Sequence, residues 1–463
     1  MKLSNTFKST VAVLFTAAGL VSIASVPSSA AAKVSCYELS KTTDVLTTKT
    51  ATKCPSGYTK GTPSATLLQG TNNTGDIDLY HGTGVGTLAI NGSSFDTSLV
   101  TATTSGSGDF NGVAFSSYAQ GGSGTGRSGI EAGTLNIGFS DQPISAAAGT
   151  LATTGTVANT TAEVQSNFIQ VPYLLGGAVV AYNLGNGFDN LKLTASEIAQ
   201  IYNGAITTWS NPQIVATNGG AKTAIGIALT KLGTSGSAEN TIKVCYRNAS
   251  SGTTYAFTDY LHQAAGTTQV ASGNPMEGTG NAWTATNVVG EGDNGSMAST
   301  LATTPGAIGY VEYSYLLVPG NAKIQGAELQ DHDGVWLNPN VSTPTMLGYI
   351  ANAAAAAGSN ITSENFSIVN EAGKNVWPLA TYSWAIVAKS QSSSISAAAG
   401  NPSAAEAVVK YLDWETHYAQ VADASNNGYV PLPAAAAAYA RSLLGQVQYN
   451  GNELLTATSS TTF

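Results

Sequence analysis

Beyond residue 86 the chain alternates short apolar runs with Gly/Ser turns and stretches of helical spacing. Leu88-Ala89-Ile90 runs into Asn91-Gly92-Ser93-Ser94-Phe95, and Val113-Ala114-Phe115 precedes Gly121-Gly122-Ser123-Gly124-Thr125-Gly126-Arg127. Leu135-Asn136-Ile137-Gly138-Phe139 ends in Ser140-Asp141-Gln142-Pro143. Ile242, Val244 and Tyr246 alternate as in a strand, and Tyr255, Phe257, Tyr260 and Leu261 then recur at helical spacing. Such alternation predicts α/β architecture built from parallel β/α units. One helix is delimited by its own sequence. Thr194-Ala195-Ser196-Glu197 is a capping box, Ile198, Ile201 and Tyr202 continue an apolar face, and Gly204 is the expected C-cap. The alanine tracts at 353–357, closed by Gly358, and at 434–438 predict ordinary helix pieces.

Between the strand ending at Tyr246 and the helix opening near Tyr255 lies Arg247-Asn248-Ala249-Ser250-Ser251-Gly252-Thr253-Thr254. A helix N-terminus presents free N–H groups and the positive end of its dipole. Small residues let an anion approach that backbone, hydroxyls add donors, and one Arg adds a planar fork. The octapeptide is therefore equipped to hold a small tetrahedral oxyanion. The loops at Ser94, Ser123 and Asp141 share the strand-to-turn pattern, although a Gly/Ser turn taken singly is more often a plain linker, and Asp141 taken alone reads as a helix cap.

The N-terminus reads as an export signal: Lys2 and Lys8 are followed by an apolar stretch from Val11 to Ile23 and small residues at Ser28-Ser29-Ala30-Ala31-Ala32. Lys33-Val34-Ser35 before Cys36 fits a lipid-attachment site poorly, so simple secretion to the periplasm or cell exterior is expected. Of three cysteines, Cys36 and Cys54 are expected to pair in that oxidising compartment and staple a small β module. Cys245, in an apolar strand, is expected to be buried. The net charge of −9 argues against nucleic acid and anionic membranes as partners. Only 10% of residues are charged, against about 25% in ordinary globular chains. Few titrating groups suit an acidic exterior, and a Gly/Ser/Thr-rich exported surface is the alternative.

Taken in order, Gly92-Ser93-Ser94-Phe95, Gly122-Ser123-Gly124, Phe139-Ser140-Asp141-Gln142-Pro143-Ile144-Ser145 and Arg247 to Thr254 resemble the phosphate-binding proteins (PstS) of bacterial phosphate ABC transporters. The framework is similar too, at Gly176 to Asn183, Ile201 to Trp209, Pro305 to Tyr313, Trp377 to Trp384, Val409 to Trp414 and Gly428 to Pro433. The resemblance spans about residues 86 to 450 and implies a type II periplasmic-binding-protein fold, two α/β lobes joined by crossing strands. With a signal peptide at 1–32 and a small module at 33–85, lobe one would be 86–178 with 384–463, and lobe two 179–383.

By motif position the resemblance implies phosphate contacts from Ser94, the Phe95 N–H, Ser123 and Asp141 in lobe one. Arg247, Ser251, Gly252 and Thr253 would come from lobe two. Ser94, Ser123 and Ser251 are placed where helices should begin. Asp141 would accept a hydrogen bond from a protonated phosphate and repel unprotonated sulfate. The family usually has an Asp where this chain has Ala249, so Arg247 either finds another partner or binds anions more strongly; Thr125 also stands where Gly is usual. The implied partners are inorganic phosphate and a membrane permease, acting on a monomer without cofactor or metal. A secreted phosphatase on this scaffold and an extracellular structural or adhesive protein are the alternatives. Against catalysis, His81, His262, His332 and His417 have no metal-ligand spacing, and no Gly-x-Ser-x-Gly elbow stands out.

Overall fold

A computed structural model describes residues 34–39, 45–54, 59–60, 72–73, 85–104, 113–142, 167–266, 283–358, 367–416 and 424–454. The expected export signal, His81, His417 and Pro143-Ile144-Ser145 lie outside the described residues. The N-terminal module is a four-stranded sheet of order β3-β1-β2-β4, from β1 (Val34–Leu39), β2 (Val45–Ala51), β3 (Thr59–Lys60) and β4 (Asn72–Asn73). Cys54 is disulfide-bonded. Cys36 lies in β1, whose side chains are outside the described residues.

The α/β part of the chain begins with β5 (Thr87–Leu88), β6 (Ile90–Gly92), α1 (Thr97–Thr104), β7 (Ala114–Phe115), α2 (Ser123–Glu131) and β8 (Ile137–Ser140). The crossing strand β9 (Phe168–Tyr182) leads to α3 (Ala195–Tyr202), α4 (Pro212–Thr217) and α5 (Ala224–Thr234). Next come β10 (Lys243–Arg247), α6 (Gly252–Ala265), β11 (Val288–Glu291), α7 (Asn294–Thr303) and β12 (Ala307–Glu312). The short strands β13 (Gln325–Gly326), β14 (Leu329–Gln330) and β15 (Trp336–Leu337) precede α8 (Thr343–Ala357). The return crossing β16 (Ala380–Ala388) is followed by α9 (Pro402–Trp414) and α10 (Ala434–Leu444).

One sheet runs through both lobes in the order β11-β10-β12-β9-β16-β8-β6. Its outer pairs β10/β11, β10/β12 and β6/β8 are parallel, as the β/α alternation predicted. The crossing strands are antiparallel to their neighbours, so the sheet as a whole is mixed. All 15 residues of β9 are buried, which explains its almost unbroken apolar sequence. Its first part, Phe168–Gly177, pairs with β16, and Ala178–Tyr182 pairs with β12. Two large cores lie on either side of this switch. One gathers Phe95, Leu99, Phe139, Tyr173, Val408 and Trp414. The other gathers Val180, Trp209, Phe257, Tyr310, Ile350 and Trp377.

Proline cannot donate to a ladder and is tolerated in strands mainly at edges or bulges. Pro172 lies within β9, and β16 shifts register between Ser383 and Trp384, where Trp384 faces Pro172. The extra residue is on β9: Ser383 faces Leu174 and Trp384 faces Pro172, which leaves Tyr173 unpaired between them.

The Thr194–Glu197 capping box forms as its sequence predicts, and Glu197 also accepts from Thr217 Oγ1 at 2.6 Å. The helix closes one residue earlier than expected: Asn203 is its C-cap, and Gly204, at φ +83°, makes the left-handed turn after it. Cys245 is free and buried.

Candidate functional site

Tyr310, on β12, shapes the base of the octapeptide. Its ring stacks on Phe257 at 4.3 Å between centroids. Its hydroxyl accepts the Arg247 backbone N–H at 3.1 Å and lies 2.8 Å from Thr254 Oγ1. Ser251 is the N-cap of α6 and accepts from the Thr254 N–H at 3.2 Å. Ser251, Gly252 and Thr253 thus sit on the first turn of a 14-residue helix, as predicted. Ser123 is the first residue of α2, after Gly122. Ser94 departs from expectation: α1 begins only at Thr97, so Ser94 sits on the turn ahead of it.

The structure brings the predicted residues of the two lobes together. Arg247 Nη1 donates to Ser94 Oγ at 3.2 Å, and Ser123 Oγ accepts the Gly252 N–H at 3.0 Å. Thr253 Oγ1 donates to Asp141 Oδ2 at 3.4 Å. Ser123 Oγ also accepts the Asp141 N–H at 3.3 Å. The Phe95 N–H is turned to Ser93 Oγ at 3.0 Å, a use the sequence did not anticipate. Ser94, Ser123, Asp141, Arg247, Ser251 and Thr253 are all buried.

Close approach depends on glycine at Gly252. A Cβ there would lie 2.5 Å from Asp141 Cβ and 2.7 Å from Oδ2, so the two lobes could not meet in this register.

Burial is the main influence on the charges. It pushes the Asp141 carboxyl up to about 6, against the pull of the Ser93 and Ser383 hydroxyls, Arg247 and Thr253. Ser383 Oγ, on β16, donates to Asp141 Oδ1 at 3.1 Å. The Arg247 guanidinium is lowered by burial, and Tyr310, Asp141 and Asp293 oppose that shift. Where Ala249 leaves no carboxylate, Arg247 Nη2 donates to the Gly292 carbonyl at 2.6 Å. Arg247 has therefore found another partner, one of the two outcomes the sequence left open.

Several neighbours were missed from the sequence. Asn294 opens α7, donates its N–H to Ser94 Oγ at 3.0 Å and its side-chain amide to Thr253 Oγ1 at 3.2 Å. Its signal was present: Val288-Val289 followed by Asp293-Asn294-Gly295-Ser296 is another strand, turn and capped helix start. Asp96 and Glu312 are also buried near the site. Burial and then Asp141 push the Asp96 carboxyl well above the usual range, while burial lifts Glu312 to about 8. Glu312 accepts from the Ser314 N–H at 2.7 Å and the Tyr429 hydroxyl at 3.3 Å.

Donors and a carboxylate converging from two lobes can hold an oxyanion and test whether it carries a proton. Among the described residues, no group of three or more His, Cys, Asp or Glu is placed to hold a metal ion. No helix among them is long and apolar enough to cross a membrane.

Residues 80–400 match the PBP superfamily domain. The chain is 29% identical over 317 residues to the phosphate-binding protein PstS of Xylella fastidiosa, covering 68% of this chain and 73% of that one. The PstS of Pasteurella multocida is 29% identical over 317 residues, covering 68% and 78%. In fold, the chain is similar to a phosphate-binding protein from Stenotrophomonas maltophilia, with a TM-score of 0.51 at 20% identity over 77% of this chain and 93% of that one. A high-affinity periplasmic phosphate-binding protein solved with phosphate gives a TM-score of 0.52 at 19% identity over the same shares. On the match across residues 80–400, with PstS proteins among its sequence relatives, the chain belongs to the PBP superfamily.

Proposed function

We propose that this protein captures inorganic phosphate between its lobes and delivers it to the membrane permease of a phosphate ABC transporter. The observation that carries the reading is Asp141, a buried carboxylate facing the Thr253 hydroxyl in a shell otherwise built of donors. A carboxylate there is unfavourable for a bare anion and favourable for one that brings a proton. Phosphate keeps at least one proton at neutral pH, and sulfate keeps none. The PstS relatives support the same assignment.

In this reading Ser94, the Phe95 N–H and Ser123 hold phosphate from lobe one, formed by 86–178 and 384–463. Arg247, Ser251, Gly252 and Thr253 hold it from lobe two, 179–383. The hydroxyls that now bond across the cleft exchange those bonds for phosphate oxygens. The protein works outside the cytoplasm as a monomer, Cys36 pairs with Cys54, and no bond of the ligand is cleaved. Calorimetry on refolded, phosphate-stripped protein tests the reading. Heat with phosphate and arsenate but not with sulfate is expected, and no heat with phosphate refutes it.

A further inference from the structure

Arg127 plays no part in the binding assigned so far, yet it is a buried guanidinium beside that site. It sits on the α2 face that packs against β8. Its Nη1 donates to Ser140 Oγ at 3.3 Å and to Gln142 Oε1, the residues on either side of Asp141. Its Nη2 crosses to the other lobe and donates to Ser250 Oγ at 3.2 Å. Ser250 immediately precedes the α6 N-cap, so this bond grips the octapeptide itself.

The surroundings are shaped for the same contact. The Gly124 N–H donates to the Ser250 carbonyl at 3.5 Å. A Cβ on Gly122 would lie 2.6 Å from that carbonyl, and one on Gly124 would lie 2.5 Å from Ser250 Cβ. Two glycines and one arginine of lobe one therefore form a seat for Ser250.

We propose that Arg127 is a closure latch: by holding Ser250 in this seat it keeps the lobes shut and slows release of the bound anion. A planar fork suits the task because one arm can stay on Ser140 and Gln142 while the other engages and disengages Ser250. Opening the lobes breaks the Ser250 arm and leaves the lobe-one arm intact. The latch thus contributes to the closed state alone, and its effect belongs in the dissociation rate. The inference rests on the phosphate reading above.

The test is stopped-flow measurement of phosphate association and release for the wild type, Ser250→Ala, Arg127→Gln and the double variant. Ser250→Ala removes the cross-lobe acceptor and leaves Arg127 on Ser140 and Gln142, so folding is preserved even if Arg127→Gln is damaged. The expected result is release about tenfold faster in Ser250→Ala, with association and melting temperature unchanged. The double variant should be no faster than Arg127→Gln alone, because one bond is lost in both. Wild-type binding with unchanged release in Ser250→Ala overturns the latch alone. A wild type that binds no phosphate overturns the phosphate reading, and the latch with it.

Discussion

Arg247 of lobe two and Ser94 of lobe one are joined by a hydrogen bond of 3.2 Å, Nη1 to Oγ, and the same guanidinium holds the Gly292 carbonyl at 2.6 Å. A planar group therefore spans the cleft with both of its terminal nitrogens engaged. Lysine carries the charge without the fork. Arg247→Lys is expected to weaken phosphate binding about 10-fold to 100-fold, the scale of one or two charge-assisted bonds. Calorimetry checks this, and wild-type affinity in the variant would remove Arg247 from the binding shell.

Asp141 is the residue on which selectivity turns. Asp141→Asn keeps the shape and gives the site a donor in place of a charged acceptor. Sulfate is expected to gain affinity in the variant while phosphate loses it. Competition of the two anions for the variant reads the ratio directly, and an unchanged ratio would dissociate Asp141 from proton recognition.

Gly252 separates closure from folding. Its absent side chain is what lets Asp141 come close, and the two residues belong to different lobes. Gly252→Ala should leave the open protein folded, with a melting temperature near the wild type without ligand, and should cut phosphate affinity at least about tenfold. Loss of secondary structure by circular dichroism would show instead that the glycine serves the helix start itself.

The buried carboxyls give stability a definite pH dependence. Glu312 is raised to about 8 and Asp141 to about 6, each chiefly by burial. The folded state then holds protons that the unfolded chain has released, so stability falls as pH rises from about 4 towards 8. Thermal melts should be highest in mild acid. Glu312→Gln retains an acceptor for the Ser314 N–H and should flatten the decline above pH 6, with a gain of the order of 1–3 kcal/mol at pH 8. A melting temperature that climbs between pH 5 and pH 8 in the wild type contradicts the burial argument.

Much of this arrangement was legible from local pattern. Thr194 and Glu197 announced their helix because a capping box is satisfied within one turn. Ser251, Gly252 and Thr253 were legible because a helix N-terminus is a local event with a fixed use for small and hydroxyl residues, whereas Ser123 entered the site through the family resemblance. Asp141 took its role only from the family resemblance, since taken alone it reads as a helix cap. Ser383 was not legible, because it and Asp141 are 242 positions apart in the chain and meet only in the folded sheet. Arg127 was missed for a related reason: it acts on a residue of the opposite lobe, and no spacing within one segment encodes that pairing, whereas Asn294 left a local signal in its capped helix start.

The shared strand β9 carries a consequence for how the molecule comes apart. Its Phe168–Gly177 stretch is woven into one lobe and its Ala178–Tyr182 stretch into the other. Neither half can lose its sheet without freeing an end of the strand that the other half needs. Heat should therefore melt both lobes in a single event, and a ligand that touches only a few loops should protect the whole of them. With phosphate at 1,000 times its dissociation constant that protection is about 4 kcal/mol, spread over every residue that melts with β9.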